Sequence, residues 1–300
     1  MFLDDAQSAI TAVAETAGAS IVGVGHRWAV GSGVVIGDGR ILTNAHNLRG
    51  DEVQVALPSG ETAVGRPIGV DVDGDLAVVE TDTDGTTAIE WPRNGSVAIG
   101  APVFALANPG GRGLRVTFGF VSGTERSFRG PRGRRITGSI EHTSPLLPGS
   151  SGGPIVDGSG RLLGLNTNRL GEGFYLAIPA DDGLRSRAEA LGRGDAPGRP
   201  RLGIGIASSE VARDLRRAVG LPETQGLLVR VVDGEGPAAA SGLAEGDLIV
   251  RADGRALADA DDLHEALESA GEAVELEVIR GTEQRTVSVP LDRGGAKPER

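Results

Sequence analysis

The sequence predicts a mostly β domain over residues 20–192, followed by a small α+β domain over residues 201–293. In the first part, apolar runs of four to six residues alternate with Gly, Asp and Asn, which is typical of antiparallel strands joined by turns. The 48 glycines are spread between these runs, and aromatic residues make up only 3% of the chain. Many tight turns and aliphatic cores are therefore expected.

The apolar runs of the first domain suit either a barrel or a sandwich, and their spacing leaves both open. The main runs are Ile21–Val24, Val34–Ile36, Val53–Leu57, Leu76–Val79, Val103–Ala107 and Leu162–Leu165. A helix is predicted at the end of this domain, within Pro179–Leu191. Residues 1–19 form a lead segment.

After residue 200 the pattern becomes a mixture of helices and strands. Residues 193–200 are rich in Gly and Pro and are predicted to be a linker, whereas residues 294–300 are predicted to be disordered. Predicted elements are a helix through Val211, Leu215 and Val219, a strand Gly226–Val232, a helix start at Pro237, a strand Leu248–Val250, an amphipathic helix Leu263–Ala270, and a hairpin from Val274 to Val289 turning at Gly281.

Composition excludes several classes of function. The formal net charge of −11 argues against nucleic-acid binding, and the absence of cysteine excludes disulfides and thiol catalysis. No nucleotide or other cofactor motif and no membrane span is found. Residues 1–19 lack the basic start and apolar run of a signal peptide. The expected location is the cytoplasm for the sequence as written, or outside it if a signal has been removed.

The segment Pro148-Gly149-Ser150-Ser151-Gly152-Gly153-Pro154 carries the strongest chemical signal. A nucleophilic serine needs N–H groups aimed at the developing oxyanion and an uncrowded approach to the carbonyl under attack. Flanking glycines meet both needs. A tight turn between strands is the alternative.

A serine hydroxyl also needs a base, and the base needs an orienting acid. His46 follows the apolar strand that contains Ile41 and Leu42, and Asp75 precedes the strand Leu76–Val79. Asp71 and Asp73 are near enough to compete with Asp75 for the acid role. A calcium loop beginning at Asp71 is excluded because Leu76 stands where such a loop needs glycine.

Three motifs in the order His, Asp, Ser resemble the HtrA/Deg family of trypsin-like serine proteases. They are Thr43-Asn44-Ala45-His46, Asp75-Leu76-Ala77-Val78 and Gly149–Pro154, and the segments Gly31–Ile36 and Ala107–Gly110 are similar to that family too. The resemblance covers nearly the whole chain. It implies two six-stranded antiparallel β-barrels with the site between them.

The resemblance also implies a role for each residue of the motifs. His46 would be the general base and then the general acid, Asp75 would orient it, and Ser151 would form the acyl-enzyme. The backbone N–H groups of Gly149 and Ser151 would form the oxyanion hole. The implied activity is ATP-independent hydrolysis of unfolded or damaged polypeptides.

The sequence departs from the family near the nucleophile. Ser150 stands where Asn is usual, and His142–Pro145 replaces Thr-Asp-Ala-Ala. The predicted specificity pocket is uncharged and consists of Pro145, Leu146 and Leu165. Cleavage after small or medium aliphatic residues is therefore expected.

The second domain resembles a bacterial PDZ module. Arg201-Leu202-Gly203-Ile204 is similar to its carboxylate-binding loop, which offers N–H groups to a peptide C-terminus while the peptide adds a strand to the sheet edge. The helix Asp262–Ala270 would form the other wall of the groove. Polypeptides and peptide C-termini are the implied partners, and a homotrimer is expected by analogy.

Three questions stay open at this level. A protease fold could serve as a catalytically silent peptide-binding scaffold, although the complete motif set disfavours this. An esterase elbow is formally present at Gly149–Gly153, but in that class the histidine comes last in the chain. The basic loop Arg126–Arg135 is either a solvated loop or a regulatory one.

Overall fold

The computed structural model describes residues 2–26, 29–37, 39–92, 97–130, 135–171, 173–195 and 200–291. The chain divides into two compact units, with the boundary between residues 196 and 197. This boundary falls within the predicted linker 193–200, of which residues 196–199 lie outside the described residues. The predicted disordered tail, 294–300, also lies outside them.

The first unit contains two closed barrels of six antiparallel strands each. The first barrel consists of β1 (Ile21–His26), β2 (Ala29–Gly37), β3 (Arg40–Thr43), β4 (Val53–Ala56), β5 (Thr62–Asp71) and β6 (Leu76–Glu80). The second consists of β7 (Pro102–Ala107), β8 (Arg115–Arg129), β9 (Arg135–His142), β10 (Pro154–Val156), β11 (Leu162–Arg169) and β12 (Tyr175–Pro179). The expected double six-stranded barrel is confirmed, and the choice between barrel and sandwich is settled.

Side-chain alternation along the strands builds three apolar clusters. Each barrel has its own cluster, and a third joins the two barrels. On β2, Val35 packs within the first barrel, whereas its neighbour Val34 packs in the joining cluster. On β3, Ile41 likewise packs within the first barrel, and its neighbour Leu42 packs in the joining cluster. Successive side chains of a strand point to opposite faces. One strand therefore contributes side chains both to the core of its own barrel and to the cluster that joins the two barrels.

The lead segment, for which the sequence pattern predicts no particular element, forms a helix. This helix, α1, spans Phe2–Thr16 and buries Val13 completely. Ile10, Val13 and Ala17 recur at helical spacing and pack on the joining cluster. The lead segment is therefore part of the first unit's core.

The helix predicted at the end of the first unit is present as α2 (Asp182–Gly192). Its Ncap residue, Asp181, accepts a hydrogen bond from the N–H of Leu184 at 2.7 Å. Such a cap satisfies one of the free N–H groups at a helix start. Leu184 and Leu191 are fully buried in the joining cluster.

The second unit is a small α+β domain, as expected. Its elements are β13 (Ile204–Ala207), α3 (Ser209–Ala218), β14 (Leu227–Val232), α4 (Pro237–Ala240), β15 (Leu248–Ala252), β16 (Arg255–Ala256), α5 (Ala260–Ser269), β17 (Ala273–Arg280) and β18 (Glu283–Pro290). The main sheet order is β13-β14-β15-β17-β18, so β13 is an edge strand. In the part of the chain that the structure describes, no helix is long and apolar enough to cross a membrane.

An ion pair between the buried Asp247 and the partly exposed Arg280 connects two segments of the second unit. Asp247 is almost completely buried, and both of its carboxylate oxygens accept hydrogen bonds from Arg280, at 2.7 and 2.8 Å. Burial opposes ionisation of Asp247, but the hydrogen bonds and charge of Arg280 outweigh it and hold the pKa of this carboxyl below its usual value.

Candidate active site

His46 stands directly after β3, in a single 3-10 turn formed by residues Ala45–Asn47. Its Nδ1 lies 2.9 Å from each carboxylate oxygen of Asp75, and its main-chain N–H donates to Asp75 Oδ1 at 3.1 Å. A carboxylate only accepts hydrogen bonds, so Nδ1 carries the proton and Nε2 is left as an acceptor. The imidazole is 37% exposed, which leaves its other edge open to a reactant.

The backbone of Asp75 has a left-handed conformation, which is uncommon for residues other than glycine. Its φ of 53° lies in the left-handed region, which Asp tolerates better than most residues. The Asp75 main-chain oxygen accepts from Asn44 Nδ2 at 2.9 Å, and its Oδ2 accepts from Thr167 Oγ1 at 2.6 Å. The Thr167 hydroxyl and the two donors of His46 supply the hydrogen bonds that a buried carboxylate needs, and Asn44 holds the backbone.

The competition between neighbouring aspartates is thereby resolved in favour of Asp75. Asp71 Oδ1 instead accepts from the main-chain N–H of Gly74 at 2.9 Å, which closes the turn before β6. Asp75 is therefore the carboxylate of this cluster that faces His46.

Ser151 lies beside the same group of residues, in the turn that directly precedes β10. Its hydroxyl donates to the main-chain oxygen of Thr167 at 3.4 Å. Thr167 thus contacts Asp75 through its side chain and Ser151 through its backbone, which brings the first and second barrels' residues to one cleft. Within the described residues the Ser151 hydroxyl makes no hydrogen bond with His46. Such bonds are often long in proteins without substrate.

The two N–H groups expected to form the oxyanion hole are available. Among the described residues, the N–H groups of Gly149 and Ser151 have no acceptor, whereas the neighbouring carbonyl oxygens are bonded. Ser150 is different, because its N–H donates to Leu147 O at 3.1 Å and its side chain is buried. The geometry therefore distinguishes Ser151, not Ser150, as the serine beside the histidine and aspartate.

The glycines after Ser151 are required by close packing. A Cβ on Gly152, whose φ is 83°, would overlap the main-chain oxygen of Ser32 and the Thr43 hydroxyl. A Cβ on Gly153 would overlap the main-chain oxygen of Leu106. The loop can approach both barrels this closely only because neither residue has a side chain.

Two of the predicted specificity residues, Pro145 and Leu146, line a cavity of about 240 Å³. The other lining residues are Ala105, Ala107, Arg115, Val116, Thr117, Leu147 and Ser150. Ser151 is not among the lining residues, although its neighbour Ser150 is. Arg115, an exposed residue, also lines the cavity, whereas Pro145 and Leu146 are uncharged.

The prediction that Leu165 lines the specificity pocket is wrong in this structure. Leu165 is fully buried in the cluster that joins the two barrels. The physical reason is alternation along β11, which directs the next residue, Asn166, to the opposite face. There Asn166 Oδ1 accepts from His142 Nε2 at 2.9 Å.

His142 is a buried neutral histidine within the second barrel. It stacks on Tyr175 with the ring centroids 5.7 Å apart, and its Nδ1 has no partner among the described residues. Burial lowers the pKa of His142 to about 4, although the hydrogen bond with Asn166 acts in the opposite direction. His142 thus supports Asn166, whose backbone pairs with Gly152 and Gly153 at 2.8 and 2.9 Å.

Sequence reasoning did not find Thr167, and it gave no role to Ser32 or Asn47. The available signal for Thr167 was a polar run, Asn166–Asn168, that interrupts an otherwise apolar strand. Ser32 was visible only as a member of the segment Gly31–Ile36, and Asn47 only as the residue after His46. Their contacts with the Ser151 loop are far apart in sequence and require the folded barrels.

In the second unit, the predicted peptide-binding residues lead into the edge strand β13. Leu202 is buried, Arg201 is exposed, and Gly203 has a φ of 72°. The main-chain oxygens of Leu202 and Gly203 accept hydrogen bonds from within the domain, at 3.0 and 2.8 Å. Ile204 packs against the apolar cluster that includes the buried residues of α5. The open edge, the left-handed glycine and the helix are features expected of a groove that takes an extended peptide.

The basic loop Arg126–Arg135 forms the end of the β8–β9 hairpin. Arg129 pairs with Arg135 across the two strands, and residues 131–134 lie outside the described residues. Arg126 Nε lies 3.2 Å from the buried carboxylate of Glu141. At least one arginine of this loop therefore has a structural partner.

Comparison with protein families agrees with both units. Residues 31–165 match the trypsin-like peptidase domain, and residues 200–291 match the PDZ domain. Together with the double barrel, these matches define the class as a trypsin-like serine peptidase with a PDZ module. The chain belongs to the HtrA/Deg family within that class.

Individual relatives support the family assignment. The chain is 33% identical over 274 residues to a periplasmic DegP-like serine endoprotease of Halomonas elongata, covering 88% of this chain and 56% of the relative. It is 30% identical over 283 residues to the serine protease Do-like HtrA of Lactobacillus helveticus, covering 87% of this chain and 68% of the relative. A solved structure of the HtrA-type protease AlgW with tripeptide has a TM-score of 0.69 and 28% identity, covering 97% of this chain and 98% of that one. The chain thus spans about half the length of some curated relatives.

Proposed function

We propose that the chain is a serine endopeptidase that hydrolyses unfolded or damaged polypeptides. The observation that carries the proposal is the cleft in which His46, Asp75 and Ser151 meet through Thr167. The Nδ1–H of His46 donates to a buried carboxylate, and the serine hydroxyl lies in the same hydrogen-bonded group. This arrangement supplies a base, its orienting acid and a nucleophile.

In the proposed reaction, Ser151 Oγ turns from the Thr167 carbonyl toward Nε2 of His46. His46 takes its proton as the oxygen attacks the peptide carbonyl carbon, and Asp75 stabilises the imidazolium formed. The N–H groups of Gly149 and Ser151 donate to the oxyanion. His46 then gives the proton to the leaving amine, and an acyl-enzyme remains. Water, deprotonated by His46, attacks this ester and regenerates the serine.

Digestion of casein and labelling with an organophosphonate test the proposal. Wild type should digest casein and be labelled once, on Ser151. Ser151→Ala should lose both properties while keeping its fold. Ser150→Ala is the matched control, since it removes the neighbouring hydroxyl and should still be labelled. Labelling that persists in Ser151→Ala and disappears in Ser150→Ala would overturn the assignment of the nucleophile.

One observation favours a second candidate, a catalytically silent peptide-binding scaffold. The Ser151 hydroxyl is bonded to Thr167 O and not to His46. If that arrangement were permanent, the histidine would not activate the serine. A folded wild-type protein that is neither labelled nor able to digest casein, but still binds peptides, would establish the scaffold.

We further propose cleavage after small or medium aliphatic residues. Pro145 and Leu146 carry no charge, and the loop that bears them leads directly to Ser151. A peptide library with every residue at the cleaved position should give preferred cleavage after Ala, Val or Leu. Preferred cleavage after Lys or Arg would contradict the assignment of this loop to the specificity pocket.

The second unit is proposed to bind peptide C-termini. Support comes from the edge strand β13, the left-handed Gly203 and the AlgW structure, which was solved with a tripeptide. A fluorescent aliphatic-ended peptide should bind full-length Ser151→Ala, and its C-terminally amidated form should bind at least about tenfold more weakly because a charged hydrogen-bond acceptor is lost. Equal affinity of the two peptides would exclude carboxylate recognition.

Two further features are proposed from the relatives alone. A homotrimer is the family expectation, and light scattering during size-exclusion chromatography would measure it. A location outside the cytoplasm, the second of the two expectations from the sequence, is favoured because the Halomonas elongata relative is periplasmic. Cell fractionation of the native host would test it.

A further inference from the structure

Ser32 of the first barrel makes two hydrogen bonds with the loop of the second barrel that contains Ser151. Its side chain is fully buried, and its hydroxyl donates to the main-chain oxygen of Gly149 at 2.8 Å. The same hydroxyl accepts from the N–H of Asn108 at 3.0 Å. In addition, the Ser32 N–H donates to the main-chain oxygen of Ser151 at 2.8 Å. One residue therefore holds the carbonyl groups on both sides of Ser150.

We propose that Ser32 is a positioning residue for the oxyanion hole. It fixes the carbonyls of Gly149 and Ser151 so that the N–H groups of these two residues stay free for the substrate's oxyanion. The inference rests on the proposed endopeptidase function and adds a residue from outside the His46, Asp75 and Ser151 set. Ser32 does not touch the reacting atoms.

The need for such a residue follows from the conformation of the loop. Gly149 has a φ of 89°, and glycine is the residue with the greatest backbone freedom. A rotation about this residue would redirect the peptide units that carry the two oxyanion donors. The donors must be aligned before the reaction to stabilise the transition state efficiently. A hydrogen bond to the Gly149 carbonyl restrains the peptide unit that follows this glycine.

A second tether from the same barrel acts on Ser151. Asn47 Nδ2 donates to the main-chain oxygen of Ser151 at 2.9 Å and to Thr43 Oγ1 at 3.0 Å. Thr43 Oγ1 in turn donates to the main-chain oxygen of Ser32 at 2.7 Å. A Cβ on Gly31 would overlap the Asn47 amide, which explains the glycine before Ser32. The N–H, C=O and hydroxyl of Ser32 are thus all engaged in one buried network.

The main test is Ser32→Ala, measured by steady-state hydrolysis of a peptide substrate and by inhibition with a matching peptide aldehyde. The aldehyde forms a tetrahedral adduct whose oxygen occupies the oxyanion hole. We expect kcat to fall roughly tenfold to hundredfold and the aldehyde inhibition constant to rise by a similar factor, with KM within about twofold, because the lost restraint acts in the transition state. Ser151 should still be labelled by the phosphonate, but more slowly.

Ser139→Ala is the matched control. Ser139 is also a fully buried serine of the first unit, and its hydroxyl has no partner among the described residues. The kcat and the aldehyde inhibition constant of Ser139→Ala should stay near the wild-type values. If Ser32→Ala matches Ser139→Ala in both quantities while wild type is active, the inference is wrong and the endopeptidase function stands. A wild type without activity would instead remove the proposed function itself.

A purely structural role for Ser32 predicts a different result. It would lower the unfolding midpoint and the active fraction, and the aldehyde inhibition constant of the remaining active enzyme would not change. If Ser32→Ala does not fold, Ser32→Cys replaces it, because a thiol is a similar but weaker donor. Its kcat should then lie below that of Ser139→Cys at unchanged KM. Equal kcat values for the two cysteine variants would overturn the inference.

Discussion

The two barrels of the first unit share one topology but contribute differently to the cleft. The first barrel supplies side chains, since His46 and Asp75 stand on short segments at the ends of its strands. The second barrel supplies a glycine-rich loop, which is expected to contribute mainly through its backbone N–H groups. The loop is fixed mainly by partners outside itself, including Ser32 and Asn47 of the first barrel.

This difference separates two kinds of sensitivity. In the first barrel, replacing a functional group should abolish proton transfer without disturbing the backbone. In the second barrel, adding an atom to the loop should disturb the backbone without removing any functional group. Substitutions of Asp75 and Gly152 test the two sides of this comparison, whereas His142 tests the stability of the second barrel and Thr167 tests the contact between the barrels.

The largest effect is expected for Asp75→Asn. The amide keeps the shape of the carboxylate but favours the wrong tautomer of His46, so kcat should fall about 10⁴-fold, by analogy with serine-protease triads in general. Asp71→Asn is the control, because its Oδ1 can still accept from the Gly74 N–H. Steady-state hydrolysis measures both. A loss below tenfold for Asp75→Asn would mean that side-chain chemistry is not the first barrel's contribution.

The corresponding change in the second barrel is Gly152→Ala. Its Cβ would collide with Ser32 O and Thr43 Oγ1, so the Ser151 loop must move, and kcat should fall at least about 100-fold. Gly60→Ala is the matched control, because Gly60 also has a positive φ, 91°, but open space around its Cβ position. That variant should lose only about 1 kcal/mol of stability and no activity. Equal activity of the two variants would remove the packing argument.

Acid should weaken the second barrel through His142. The pKa of His142 is about 4 when folded and 6.5 when unfolded, so the unfolded chain binds more protons between these values. Stability should therefore fall as pH drops from 6.5 to 4, by about 3 kcal/mol from this residue. Urea unfolding followed by tryptophan fluorescence measures it, because both tryptophans, Trp28 and Trp91, belong to the first unit. His142→Gln should lose correspondingly less stability over the same range.

The smallest effect is expected for Thr167→Val, which removes one of the donors to Asp75 at nearly constant volume. The remaining donors from His46 still hold the carboxylate, so kcat should fall only about fivefold, which corresponds to about 1 kcal/mol. Thr81→Val is the control, since its hydroxyl donates to Val64 O at 3.0 Å away from the cleft. An unchanged kcat for Thr167→Val would show that the bridge between the barrels is not functional.

The residues of the cleft differ in how far the sequence could reveal them. His46, Asp75 and Ser151 each stand next to a recognisable local pattern, an apolar strand or a glycine-rich turn. Ser32 and Thr167 act through partners more than 90 residues away in sequence, and their local patterns are ordinary strand patterns. For Leu165 the sequence predicts a role that the structure does not support. This apolar residue is predicted to line the specificity pocket, but its strand directs it into the core.

The sequence alone determined the strand-rich and α+β classes and predicted two domains and the residues His46, Asp75 and Ser151, because these depend on periodicity, turn residues and short motifs. Only the tertiary structure decided that the lead segment is a core helix and that the first barrel holds the Ser151 loop of the second. The physical reason is that hydrogen bonds and packing between distant segments depend on which strand faces meet. One-dimensional patterns do not contain that information.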